Sequence, residues 1–154
     1  MDNSILFQDA VALLKQLIAT PSFSKEENET AEIICAFFEK HGVTYKRVGN
    51  NVYAFNRHYD PAKPSVLLNS HHDTVKPNKG YTIDPFTPIE KEGKLFGLGS
   101  NDAGGCLVSL IATFLYFVDK EHLSHNVVFA ASAEEEISGV NGIELVLPYL
   151  GHID

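Results

Sequence analysis

Asn126-Val-Val-Phe-Ala-Ala-Ser-Ala133 is continuously apolar or small and runs directly into Glu134-Glu135-Glu136. An unbroken run of this kind fits a central strand covered on both faces. Three adjacent carboxylates repel one another and are ordinarily a solvated charge run. Here they end a central strand, and strand ends are where open α/β sheets place their sites.

Working outward, Ser65–Ser70 (SVLLNS) is a second short apolar run behind Pro64, which predicts a buried strand delivering His71-His72-Asp73 to its end. From Ala103, the residues Leu107, Leu110, Ile111, Phe114, Leu115 and Val118 recur at helical spacing and predict an amphipathic helix over one sheet face. Ser4–Ala19 predicts another, with Phe7, Val11, Leu14 and Ile18 on its inner face. Ser24 with Glu27 has the pattern of a capping box for a third helix, which carries Ala31, Ile34, Cys35 and Phe38 up to a Gly42 cap. Gly142–Leu150 suggests one more helix. Gly49-Asn50-Asn51 and Glu92-Gly93 are hairpin turns, and Lys76–Pro88 is the most loop-like segment. Strands alternating with helices predict an α/β fold with a mixed, largely parallel sheet flanked by helices.

At 154 residues and 44% hydrophobic composition, the chain suits one compact core or a piece of one. The net charge of −8 contains no basic run, which argues against nucleic acid and acidic membranes as partners. The opening MDNSILFQDA lacks a basic n-region and a cleavage site, and no apolar run approaches spanning length, so the cytoplasm is the expected compartment. Cys35 and Cys106 lie in apolar contexts without a CxxC pair and are expected to be reduced core thiols.

Three positions carry candidate chemistry. Alternation along a strand projects His71 and Asp73 the same way and His72 elsewhere. A neutral imidazole is the commonest metal ligand, and a nearby carboxylate can hold its second nitrogen in the required tautomer. Asp102 follows Gly97 and Gly99 and precedes Ala103-Gly104-Gly105 at a helix start, where it is either an N-cap or a carboxylate with cleared space around it. At the glutamate triplet, a dication would relieve the mutual repulsion, and a glutamate outside its shell could serve as general base. Histidine, aspartate and glutamate, each at an element end, point to one site.

LLNSHHDTV, GKLFGLGSNDAGG and AASAEEEISGVNG resemble three successive motifs of the acetylornithine deacetylase, succinyl-diaminopimelate desuccinylase and aminoacylase family of zinc hydrolases, the likeness running from about Leu67 to Gly142. The resemblance implies a zinc-exopeptidase-like catalytic domain holding two zinc ions, with cobalt as an alternative. It also implies His71 as a ligand of one metal, Asp73 as its supporting catalytic carboxylate, Asp102 as the bridging ligand, Glu135 as general base and Glu136 as a further metal ligand. Glu134 stands where the family often has aspartate, and Asn101 and Ala103 are also variants of commoner choices, at positions that are not ligands in the family. Asp84–Pro88 (DPFTP) and Gly93–Gly99 (GKLFGLG) most resemble the acetylornithine deacetylase branch, which implies N-acetylornithine as substrate, in arginine biosynthesis. Desuccinylation and dipeptide hydrolysis are the alternatives within the family.

The family also uses an acidic ligand after its glutamate pair, a histidine near its C-terminus, and an inserted lid and dimerisation domain. Glu144, His152 and Asp154 do not stand in the matching contexts. The expectation is therefore that residues 1–154 are the N-terminal part of the catalytic domain of a homodimeric enzyme acting on a small N-acyl amino acid, and are inactive alone. A non-catalytic α/β fragment or binding module is the competing hypothesis. A thiol or redox enzyme is more distant, since neither cysteine has a basic neighbour.

Overall fold

The computed structural model describes residues 2–153; Asp154, noted above as standing outside the family's ligand contexts, lies outside them. The elements in chain order are α1 (Asn3–Ala19), α2 (Asn28–Lys40), β1 (Tyr45–Val48), β2 (Asn51–Phe55), β3 (Ser65–His71), β4 (Ile89–Lys91), β5 (Lys94–Phe96), α3 (Gly104–Phe117), β6 (Asn126–Ser132) and α4 (Ile143–Val146). Single 3-10 turns at Glu135–Ile137 and Leu147–Tyr149 flank α4. The helix expected over Gly142–Leu150 is thus divided, with Pro148 inside the second turn.

Four strands form one sheet in the order β1-β2-β6-β3. β3 and β6 run parallel, with His71 opposite Ser132 at the end of the register. The β1-β2 hairpin adds antiparallel pairings, β1 on β2 and β2 on β6, so the sheet is mixed. β6 is central, as its composition predicts, and every residue from Val128 to Ser132 is buried. β3 was expected to be buried but is an edge of the described sheet, with Val66 45% exposed, because it has a strand neighbour only on the β6 side.

Strand alternation divides two cores. Val52, Ala54, Phe129 and Ala131 face α1, α2 and α3, while Tyr53, Val128 and Ala130 face Val146 and Leu150. The larger core centres on Phe38, Phe114 and Phe129, whose ring centroids lie 5.5 to 6.1 Å apart.

α1 presents Leu6, Ala10, Leu13, Leu14, Leu17 and Ile18 inward, whereas Phe7, expected on that face, is 69% exposed. The true stripe is rotated by about one residue, and Val11 lies at its margin. α2 ends as expected: Gly42 takes φ +65°, while its own amide and that of Val43 bond the carbonyls of Glu39 and Phe38 in a Schellman arrangement. The capping box at its start is absent, because α2 begins at Asn28 and Lys25, at φ +78°, turns the chain out of helical geometry. Cys35 is buried as expected, but Cys106 is exposed, since the first turn of α3 points it away from the core.

Candidate metal centre

Three element ends build the site. His71 ends β3, Asp102 lies just before α3 (capped by Ala103, with no side-chain cap bond), and Glu135 and Glu136 form the 3-10 turn after β6. The N-cap reading of Asp102 therefore fails, and its carboxylate is instead turned to His71, with Oδ1 3.1 Å from Nε2. One donor atom each from His71, Asp102 and Glu136 lies within 4.8 Å of the others. Two donors on one zinc ion are at most about 4 Å apart, so a small side-chain rotation brings any pair of them onto a common ion. Glu135 is exposed, with Oε2 3.5 Å from His71 Nε2. An imidazole nitrogen and carboxylate oxygens are donors suited to zinc and similar divalent cations.

Asp73 organises this cluster from behind. Fully buried, its carboxylate accepts the amides of Glu135 and Glu136, each at 3.1 Å, and the Ser24 hydroxyl at 2.7 Å. Its Oδ1 also lies 3.2 Å from His71 Nδ1, which leaves Nε2 facing Asp102 and Glu135. One side chain thus fixes the ring of His71 and the backbone of the glutamate turn. Burial opposes the charge on Asp73, but these hydrogen bonds outweigh it and hold the carboxyl at about 2. Burial likewise opposes charge on His71, yet its bonds to Asp73 and Asp102 and the field of Glu135 push the imidazole up to about 9. Glu136 is raised, first by burial and then by its acidic neighbours, Asp102 foremost.

A pH prediction follows for the metal-free chain. A carboxyl whose folded pKa lies below its unfolded value stabilises the fold above the ordinary carboxylate range and loses that contribution as pH falls through the folded value. For Asp73 the window runs from 3.8 down to about 2. Urea unfolding across this range should show an acid-dependent loss of about 2 kcal/mol that is missing from Asp73→Asn; equal slopes for the two proteins would disprove it.

His72, as alternation predicts, points the other way. Buried, it places Nδ1 2.8 Å from the Thr30 hydroxyl and Nε2 2.9 Å from the Asn50 carbonyl. Glu134 is structural as well. It sits at φ +53° with its buried carboxylate on the Asn141 side-chain amide at 2.9 Å, and a side chain at Gly139 would collide with it.

The residues missed by sequence reasoning are Ser24 and Glu27, whose spacing was attributed to a helix cap. Glu27 is fully buried and accepts the amides of Glu134 at 3.1 Å and Lys25 at 2.7 Å, and the Asn50 side chain at 2.9 Å. The amides of Glu134, Glu135 and Glu136 are therefore all held by buried carboxylates, the first by Glu27 and the others by Asp73. Removing Glu27 strands buried donors, so Glu27→Ala should cost about 3 kcal/mol in urea unfolding. A loss below about 1 kcal/mol would show that water replaces the carboxylate.

Fold and cluster together define the class, a helix-covered mixed α/β domain that gathers a histidine and carboxylates at its strand ends, as metal-dependent hydrolases do. Residues 67–153 match Peptidase family M20/M25/M40, more than half of the chain, and the chain belongs to that family. It is 34% identical to acetylornithine deacetylase of Proteus mirabilis over 140 residues, covering 83% of this chain and 36% of that protein. It is 32% identical to succinyl-diaminopimelate desuccinylase of Buchnera aphidicola over 146 residues, covering 90% of this chain and 38% of that protein. Human carnosine dipeptidase 1 superposes with a TM-score of 0.73 at 22% identity, covering 94% of this chain and 36% of that one, a likeness of fold. The chain thus spans little more than a third of the length of the curated relatives it matches. Among the described residues no helix is long and apolar enough to cross a membrane.

Proposed function

We propose that this chain carries part of the active site of a hydrolase that uses two divalent cations, zinc or cobalt, to remove the acyl group from an N-acyl amino acid, with N-acetylornithine the foremost substrate. The observation that carries the proposal is the convergence of His71, Asp102 and Glu136 within 4.8 Å, beside the exposed carboxylate of Glu135. Identity to the Proteus mirabilis deacetylase supports the choice of substrate.

His71 and Glu136 would hold one cation each, and Asp102 would be shared between the two. When bound, such ions polarise the amide carbonyl and acidify a water toward a pKa of roughly 7. Glu135 takes a proton from the attacking water and passes it to the departing nitrogen. The C–O bond forms, the C–N bond breaks, and a carboxylic acid and a free amino acid leave. Asp73 keeps His71 Nε2 and the Glu135 backbone in place throughout.

The test is hydrolysis of N-acetylornithine by the active enzyme before and after chelation. Activity should vanish with the chelator and return with zinc or cobalt. Chelator-resistant turnover, or none on any N-acyl amino acid, would sink the reading. A second reading, removal of a succinyl group, is carried by the identity to the Buchnera desuccinylase.

A further inference from the structure

Glu135 and Glu136 are neighbours in one 3-10 turn, yet the first is exposed with its carboxylate 3.5 Å from His71 Nε2, and the second joins His71 and Asp102 in the cluster. Which carboxylate goes where depends on the angle at which the chain enters the turn. Glu134 sets that angle, at φ +53° and ψ +23°, in the left-handed region that is costly for a residue with a side chain. Such a conformation persists only where the surroundings hold it. Glu134 is held at three points: its amide by Glu27 Oε1 at 3.1 Å, its carbonyl by the Gly139 amide at 2.8 Å, and its side chain by the Asn141 amide at 2.9 Å. The last two lie just after the turn, whereas Glu27 ties it to a segment 107 positions away.

We propose that Glu27 is a positioning residue for hydrolysis, one that aims the Glu135 carboxylate at the attacking water by fixing Glu134. The inference rests on the hydrolase reading above. Asp73 holds the amides of Glu135 and Glu136, and two points leave a turn free to pivot about the line that joins them. The third, at Glu134, stops the pivot. Glu27 is itself fixed: fully buried, it accepts the Lys25 amide at 2.7 Å on the same Oε1 and the Asn50 side chain at 2.9 Å on Oε2. Asn50 is anchored in turn, its carbonyl 2.9 Å from His72 Nε2 and its Oδ1 accepting Arg47 at 3.0 Å. Residues 22–27 are also stitched to the end of β3, since the Thr74 amide donates to the Ser22 carbonyl at 2.8 Å and the Ser24 hydroxyl to Asp73 at 2.7 Å. One segment thus fixes both the strand end that carries His71 and the turn that carries Glu135. The partners of the Glu27 carboxylate include neither a candidate ligand nor the base, so its effect on the rate travels through the backbone of Glu134.

Two substitutions separate reach from charge. Glu27→Asp keeps the charge but withdraws the oxygens by about 1.5 Å, out of hydrogen-bond distance of the Glu134 amide. Glu27→Gln keeps the reach, because its carbonyl oxygen can replace Oε1 and serve both amides while its NH2 group turns to Asn50. Leu13→Ala, at a buried core position on α1, weakens the fold by a cavity and leaves the site untouched. All three are assayed in the active enzyme on N-acetylornithine, with saturating zinc and at a temperature where circular dichroism shows each to be folded. Glu27→Asp should lower kcat by at least about tenfold with KM within about twofold, Glu27→Gln should stay within about threefold, and Leu13→Ala should match the unaltered enzyme. Independently of turnover, the Glu134 amide should exchange its hydrogen faster in Glu27→Asp than in Glu27→Gln. A kcat for Glu27→Asp within about twofold of the unaltered enzyme, or no lower than that of Glu27→Gln, overturns the positioning role and leaves the hydrolase reading standing. Equal exchange in the two variants, or an equal fall of kcat in Leu13→Ala, does the same. Absence of turnover in the unaltered enzyme overturns the hydrolase reading and this inference with it.

Discussion

Glu135→Gln should remove nearly all turnover from the active enzyme, by a factor of about a hundred to ten thousand, while its metal content stays unchanged. Glutamine keeps the size of the side chain and loses its ability to accept a proton. The backbone of the turn should not move, because the Glu135 amide is held by Asp73 Oδ1 at 3.1 Å rather than by its own side chain. Glu136→Gln should behave differently, since its carboxylate lies within the 4.8 Å cluster with His71 and Asp102. A neutral amide there lacks the charge that makes a carboxylate a good ligand for a dication, so metal should be lost and turnover with it. Metal content by mass spectrometry, measured beside the rate for both variants, separates the roles. Equal metal loss in the two would show that base and ligand have been exchanged in this assignment.

That the adjacent glutamates can differ so sharply follows from the turn, and the turn is the part of the site least legible in the sequence. The ends of β3, β6 and the start of α3 could be located from apolar runs and glycines, which is why His71, Asp102 and Glu136 could be picked out as converging. What holds them could not. Glu27 lies 107 positions from the Glu134 amide it accepts and 23 from Asn50. Its spacing from Ser24 imitates a capping box, and only the left-handed Lys25 between them breaks that pattern. A buried carboxylate with distant partners leaves no local signature. The periodicity of α1 was read one residue out of phase because Phe7 is large and apolar, yet it lies on the exposed margin at 69%. For β3, composition could not tell an edge strand from a central one, since a short apolar run fits both until the sheet order is known.

The same geometry sets the expectation for the 154 residues on their own: a polypeptide of this sequence should show no measurable deacylase activity even with zinc or cobalt supplied. Among the described residues one group of three histidine, cysteine or acidic side chains could hold a metal, namely His71, Asp102 and Glu136. Divided between two ions, they give one ion His71 and a share of Asp102, the other Glu136 and the other share. Neither reaches the usual three protein ligands and a water. Binding should therefore be weak, and turnover should suffer more than binding. A water activated by two ions needs both present together, and substrate positioning contributes a further large factor to the rate. The chain spans little more than a third of the length of the matched relatives. The decisive assay uses this polypeptide with N-acetylornithine and several other N-acyl amino acids, with Glu135→Gln as control. Turnover that depends on metal and disappears in the control would overturn the expectation, because it would mean that these residues complete two coordination shells unaided.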